Sequence, residues 1–231
     1  MSQELFVRDV SPSYALHVAP PLRAAADTPM AGRPASVYAA LACLLLRLHD
    51  RLRCGTASQM PCTCLRFSTQ RLPSDKFGEL DRQLAGQQAG LNALTVAEYL
   101  QARAGFTPAG RDPQVARRAR TSWRSKLVQA RSEALMQAGC GEAEAAELAQ
   151  FHAERQMRSL HALHNPDRIA GGHDVIADFG DGQVNSTIGR QWNLMRGGLP
   201  SRVQQLDAAA SSVPEAARAE TRMNGMLVRD T

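Results

Sequence analysis

Pro166 constrains this chain more than any other single residue, because it interrupts a long helical pattern. From Glu142 the stretch EAEAAELAQFHAERQMRSLHALH places Ala146, Leu148, Ala149, Met157, Leu160 and Leu163 at spacings that suit one helix with an apolar stripe. Proline has no backbone donor and disfavours helical geometry in the residue before it. The pattern therefore predicts a helix ending at Asn165, with His164 in its last turn and Asp167 in the turn beyond. Gly171-Gly172 then reverses the chain.

The remaining pattern is helical nearly throughout. Residues 1 to about 35, rich in Pro and Ala, read as an arm, and SVYAALACLLLRLHDRL from Ser36 as a buried helix. RCGTASQMPCTCLRFSTQRLPSD reads as loop, and FGELDRQLAGQQAGLNALTVAEYLQARAG as two helices, with Thr95 and Glu98 forming a capping box at the second. DVIADFG reads as a short strand or extended loop; NSTIGRQWNLM, PSRVQQLDAAASSV and PEAARAETRMNGML read as three more helices. The expected class is mainly α, a helical domain with long loops and at most a small β element near residues 175–185. Residues 1–60 form an N-terminal arm and helix, a loading or linker region, and residues 61–231 the main domain.

The formal charge of +5 and pI of about 9.3 favour a polyanionic partner. The excess concentrates between Arg111 and Arg131, where Arg111, Arg117, Arg118, Arg120, Arg124, Lys126 and Arg131 face the single acid Asp112. Two readings stay open there: a phosphate-gripping face, or a solvated helix face in an arginine-rich protein. The most apolar segment, from Val37, is interrupted by Arg47 and falls short of the roughly 18 apolar residues of a membrane span. The start, MSQELFVRDVSPSY, lacks the basic end and apolar run of a secretory signal. Export is therefore expected to need a dedicated machine.

The segment from Leu160 to Asp181 gathers His161, His164 and His173 with Asp167, Asp174, Asp178 and Asp181. A histidine titrates near neutral pH, and a rigid Asn-Pro corner suits a general base. Phosphodiester hydrolysis needs an activated water, neutralised phosphoryl oxygens and often a divalent metal on carboxylates. His164 suits the base, Asp167 its orienting partner or a metal ligand, Asp174, Asp178 and Asp181 further ligands, and Arg168 a phosphate contact. Oxygen ligands favour magnesium or manganese. The plainer reading makes the aspartates turn and cap residues. A third takes His173-Asp174 as the metal-binding pair of an HD-type phosphohydrolase, although such a pair belongs on a helix and this one follows Gly-Gly.

His164-Asn165-Pro166-Asp167, Ile169-Ala170-Gly171-Gly172, Asp174-Val175-Ile176 and Asp178-Phe179-Gly180-Asp181 together resemble the HxxD nuclease toxins, the polymorphic toxin type 15 domain. That family includes antibacterial DNase effectors of type VI secretion systems. Supporting stretches are Glu79 to Leu84 with Gly86-Gln87, Gly90-Leu91-Asn92, Thr95-Val96 and Glu98-Tyr99-Leu100, and Val184-Asn185-Ser186 with Ile188-Gly189 and Gln191-Trp192. The resemblance runs from about Phe67 to the C-terminus. It implies a mainly α domain that cuts DNA with magnesium, His164 and Asp167 being catalytic. It also implies a cognate immunity protein, a secretion adaptor or chaperone, synthesis in a bacterial cytoplasm and action in the cytoplasm of a target cell. The Asp81-Arg82-Gln83-Leu84 stretch should fold back on the HxxD corner, making Arg82, Gln83 and Gln87 candidates for contacting substrate or for supporting those residues that do. Helix surface and helix-to-helix hydrogen bonds are the plainer roles for all three. An RNase with the same corner, or a noncatalytic DNA-binding or adaptor module using the arginine-rich helix, are the competing functions.

Overall fold

The computed structural model describes residues 58–108, 112–195 and 197–230. The chain divides into two units between Tyr38 and Ala39, and every described residue belongs to the second. The arm and the helix read from Ser36 onward lie outside the described residues, as does Arg111 of the basic segment.

Six α-helices and two small sheets make up the described residues, so the mainly α expectation holds. The helices are α1 (Phe77–Ala93), α2 (Val96–Ala104), α3 (Pro113–Gln137), α4 (Glu142–Ser159), α5 (Gly182–Trp192) and α6 (Arg202–Ser211). The strands are β1 (Thr63–Ser68), β2 (Leu160–Leu163), β3 (Asp178–Asp181) and β4 (Gly225–Asp230), with β1 parallel to β4 and β2 antiparallel to β3. No helix among the described residues is long and apolar enough to cross a membrane.

The main core joins β1 and β4 to α1, α2, α5 and α6 through Leu65, Phe67, Leu80, Leu84, Leu91, Val96, Tyr99, Val184, Ile188, Trp192, Val203, Leu206 and Leu227. Met60 also belongs to it. A smaller core lies between α3 and α4, where Trp123, Leu127, Ala153 and Met157 meet Phe179 of β3. Both tryptophans therefore anchor cores, Trp192 edge-on to Phe67 and Trp123 stacked on Phe179 at 5.5 Å. Thr95 caps α2 with the anticipated reciprocal Glu98 box, and Ser201 and Gln204 form a second box on α6.

Three expectations are corrected. First, the long helix stops at Ser159, six residues before Asn165, and Leu160–Leu163 is strand β2. The guanidinium of Arg120 donates to the carbonyls of Met157 and Leu160, which a continuing helix would need as acceptors for residues 161 and 164. β3 supplies the alternative partners. Second, the loop expected around residue 65 contains β1. Third, the helix expected after Pro214 is only a short 3-10 turn at Glu215–Ala217, followed by β4. β1 buries Leu65 and Phe67 at alternate positions and pairs from Thr63↔Gly225 to Ser68↔Asp230. The sheet near residues 175–185 is as expected; the β1–β4 sheet is additional.

Candidate active site

α1 positions the site by offering two stripes at helical spacing. Leu80, Leu84 and Leu91 enter the main core, while Glu79, Gln83, Gly86 and Gly90 face β3 and the Asn165-Pro166 corner. At the polar end of the second stripe, Glu79 accepts from the Asp181 amide at 3.1 Å and from Gln83 at 2.8 Å, and Gln83 donates to the Asp181 carbonyl at 3.2 Å. At the other end the corner lies directly on the helix backbone. A Cβ on Gly86 would come 2.8 Å from Asn165 Nδ2, and one on Gly90 would collide with the Asn165 carbonyl. The upstream segment thus folds back on the corner as expected.

His164 follows β2 directly. Its Nε2 lies 3.1 Å from Oδ1 of Asp174, and its side chain is only 11 % exposed. An ionised carboxylate only accepts, so Nε2 donates, and in the neutral ring Nδ1 holds the basic lone pair. Oδ2 of Asp174 accepts from the amide of Asp112 at 2.8 Å, and Asp112 also caps α3 through its side chain. That amide bond, against a smaller opposing effect of burial and with help from His164 and Arg168, holds the Asp174 carboxyl below its ordinary range. One carboxylate therefore ties His164 to the first turn of the arginine-rich helix. The orienting acid of His164 is Asp174, seven residues past the motif, where the sequence had suggested Asp167.

Asp167 does something else. Its Oδ1 accepts from the Ile169 amide at 3.2 Å and caps the 3-10 turn Arg168–Ala170, while its own amide donates to Gln87 at 3.4 Å. Gln87 also accepts from the Trp192 indole at 3.1 Å. Arg103 donates to the Ile169 carbonyl at 2.9 Å and grips Asp207, which Tyr99 also reaches, so α2 and α6 fix the turn from its far side. At Gly171, with φ of 87°, the chain leaves the turn in a left-handed conformation, packed against the Tyr99 ring.

The four aspartates read as metal ligands are not gathered. Among the described residues no group of three or more His, Cys, Asp or Glu is placed to hold a metal. Asp178 pairs with Arg82. Asp181 caps α5 through the amides of Gln183 and Val184 and pairs with Lys76 at 2.8 Å. Both oxygens of Asp174 are engaged as described, so a four-carboxylate cage does not fit. Magnesium needs less: it keeps most of its waters and binds through one or two carboxylates plus the phosphates of its substrate. Asp167 fits that demand, since its Oδ2 has no hydrogen-bond partner among the described residues.

The candidate substrate contacts separate into two groups. Gln83 and Gln87 are 2 % and 3 % exposed and hold β3 and the corner, so they cannot reach a nucleic acid strand. Arg82 is bound to Glu79, Asp178 and the Phe179 carbonyl. Arg120 ends α4, and Arg124 pairs with Glu154 across the helical hairpin. Arg117 is exposed without an ion pair among the described residues, and Arg118, which the sequence reading named only as part of the basic run, shares that state. Arg168 stays near Asp174, whose carboxyl feels its charge. His161 lays its ring against Gly182, and His173 is exposed outside any helix, which removes support for an HD-type pair.

Two predictions follow from these partners. Replacing Arg117 and Arg118 together by alanine should weaken binding to a labelled polyanion and flatten its salt dependence by roughly one unit of slope per lost anionic contact. Replacing Arg120 should instead destabilise the fold by about 1–3 kcal/mol, as expected for hydrogen bonds from a charged group; fluorescence anisotropy and thermal denaturation separate the two. The second concerns acid. Burial pushes Glu79 and Asp181 up, but hydrogen bonds and charge from Arg82 and Gln83 for Glu79, and from Lys76 and the α5 amides for Asp181, outweigh it and leave both carboxyls lowered, like Asp174. Lowered carboxyls stabilise the fold above their ordinary values near ~4 and lose that contribution as pH falls through their folded values. The melting temperature should therefore drop as pH falls below about 4; a rise there would contradict the assignment.

No curated protein matches this chain. The family model described as Novel toxin 15 matches residues 74–227, about two thirds of the chain, from the 3-10 turn preceding α1 into β4. The match spans α1, the His164–Asp167 corner, the Asp174 loop and α5, the elements that assemble the site, and the chain belongs to the Novel toxin 15 family of polymorphic toxins.

Proposed function

We propose that this toxin hydrolyses DNA phosphodiester bonds with divalent metal support, His164 acting as general base. The observation that carries the proposal is the Asp174–His164 pair tied through Asp112 to the foot of the arginine-rich helix. The exposed arginines of α3 hold the backbone of a duplex, which positions DNA without reading its bases. His164 Nδ1 takes the proton of an attacking water, while Asp174 keeps the ring oriented through Nε2. A magnesium or manganese ion held by Asp167 and the substrate's own phosphate would neutralise charge on the phosphoryl oxygens. Gln87 and Arg103 fix the turn that presents Asp167.

The family's toxin role supports a wider setting of the same proposal. The protein is made in a bacterial cytoplasm beside a cognate immunity protein, loaded by an adaptor or chaperone onto a type VI secretion system, and acts on DNA in the cytoplasm of a rival cell.

Incubation of plasmid DNA with the purified protein tests the chemistry. Nicking and degradation should appear with magnesium and vanish with EDTA. Intact plasmid under both conditions, with RNA degraded in parallel, would replace DNA by RNA as substrate; intact DNA and RNA, with gel shifts that salt abolishes, would leave a binding module.

A further inference from the structure

The glycines near the site fall into two kinds. At Gly86, Gly90, Gly171, Gly172, Gly180 and Gly182 a Cβ would come within 3.0 Å of a neighbour, so a side chain there would force that neighbour to shift. Gly189, half-buried on α5, differs from all of these. A Cβ there would have one neighbour within 4 Å, Oδ2 of Asp167 at 3.7 Å, which is ordinary van der Waals contact. Packing therefore does not require glycine at this position, and alanine would be the better helix former. What the missing side chain leaves is room in front of the one Asp167 oxygen that has no partner among the described residues, the other being held by the Ile169 amide. Asn185, one turn earlier on the same face of α5, is half-buried, and its side chain makes no hydrogen bond among the described residues.

We propose that Gly189 holds open the seat in which a cation-bound phosphodiester group reaches Asp167, with the Asn185 amide beside it as a donor to a phosphate oxygen. This rests on the nuclease reading for the identity of the ligand, but the room at residue 189 is a property of the fold. The position sets access: each carbon added at 189 fills space the phosphate and its cation need, without disturbing the core that α5 makes with Val184, Ile188 and Trp192.

The test compares wild type, Gly189→Ala, Gly189→Leu and the control Gly78→Ala, a helix glycine with no neighbour within 4 Å of its Cβ position. Three quantities are read: melting temperature, kcat/KM on a DNA duplex, and carbodiimide labelling of Asp167 by mass spectrometry, with and without a phosphorothioate duplex and magnesium. Gly189→Ala should melt at or above the wild-type temperature yet lose about tenfold in kcat/KM, and Gly189→Leu about a hundredfold or more. Asp167 should label readily in wild type, be protected by the duplex, and label poorly in Gly189→Leu without any DNA. Gly78→Ala should resemble wild type in kinetics and labelling. If the residue 189 variants label and are protected like wild type, and cut as fast, the seat is overturned while the nuclease reading stands. If wild type cuts no DNA but the duplex protects Asp167 only when residue 189 is glycine, the nuclease reading falls and the seat stands. Should Gly189→Leu fail to fold, Gly189→Ala decides by the same readouts.

Discussion

On the proposed mechanism, replacing His164 by alanine should lower cleavage in magnesium by about 10²–10⁴-fold, the range lost with a positioned general base. The fold persists, because the ring is a polar group at the end of β2 and neither hydrophobic core includes it. His164→Gln sharpens the experiment. A glutamine amide can still donate to Asp174, yet it offers no basic lone pair, so the loss should be as large as in the alanine variant. Asp174→Asn should also act mainly on kcat and cost nearly as much, since its NH2 must either face the Asp112 amide donor to donor or turn to Nε2 and force the other His164 tautomer. Glutamine at residue 164 retaining wild-type rates would mean that the proton is taken elsewhere.

Gly90→Ala should be among the most damaging single methyl groups in the described residues. In the interior of an ordinary helix this substitution stabilises by roughly 0.5–1 kcal/mol, and at Gly78, in the first turn of the same helix with nothing within 4 Å of its Cβ position, it should be tolerated. At Gly90 the added carbon overlaps the Asn165 carbonyl and comes within 2.7 Å of the Pro166 nitrogen. Both are backbone atoms that cannot rotate aside, so either α1 or the corner has to move. Overpacking of this kind costs about 1–3 kcal/mol or more. A displacement of the corner by about 1 Å would also cost roughly a hundredfold in rate. Thermal denaturation and plasmid cleavage measured on the same preparation should therefore fall together. A Gly90→Ala protein that melts like wild type would mean that the corner does not rest on α1.

What the sequence disclosed depended on how far each signal had to reach. Thr95 and Glu98 act within one turn of helix, and their cap formed as read. The corner at Pro166 is equally local, and so is the dense run of histidines and aspartates around it. β2 was hidden because Leu-His-Ala-Leu has helical spacing and continues a helix; only Arg120, arriving from another helix, and β3, arriving from beyond the turn, convert it to strand. β1 and β4 were hidden for a related reason. Strand preference depends strongly on neighbours, and the partner of Leu65 is Leu227. The alternation of Leu65 with Phe67 was the available sign. Charge showed the same limit: the basic run was visible as a run, but nothing in it distinguishes Arg120, bound to the end of α4, from the exposed Arg117. The partner of His164 was likewise undecidable, because Asp167 and Asp174 are both close in sequence and only the folded loop selects one.

The parallel pairing of β1 with β4 also bears on how the domain assembles. Residues 63–68 wait for residues 225–230 before their sheet can close, and Leu227 belongs to the same core as α1. Contacts so distant along the chain form late and slowly. A nascent chain still inside the ribosome can hold the corner, the turn and the arginine helix in sequence and yet lack the strand that completes the support beneath them. Until residues 225–230 are present β1 has no strand partner, so a chain cut before residue 225 should lose the β1–β4 sheet and with it part of the core that carries α1.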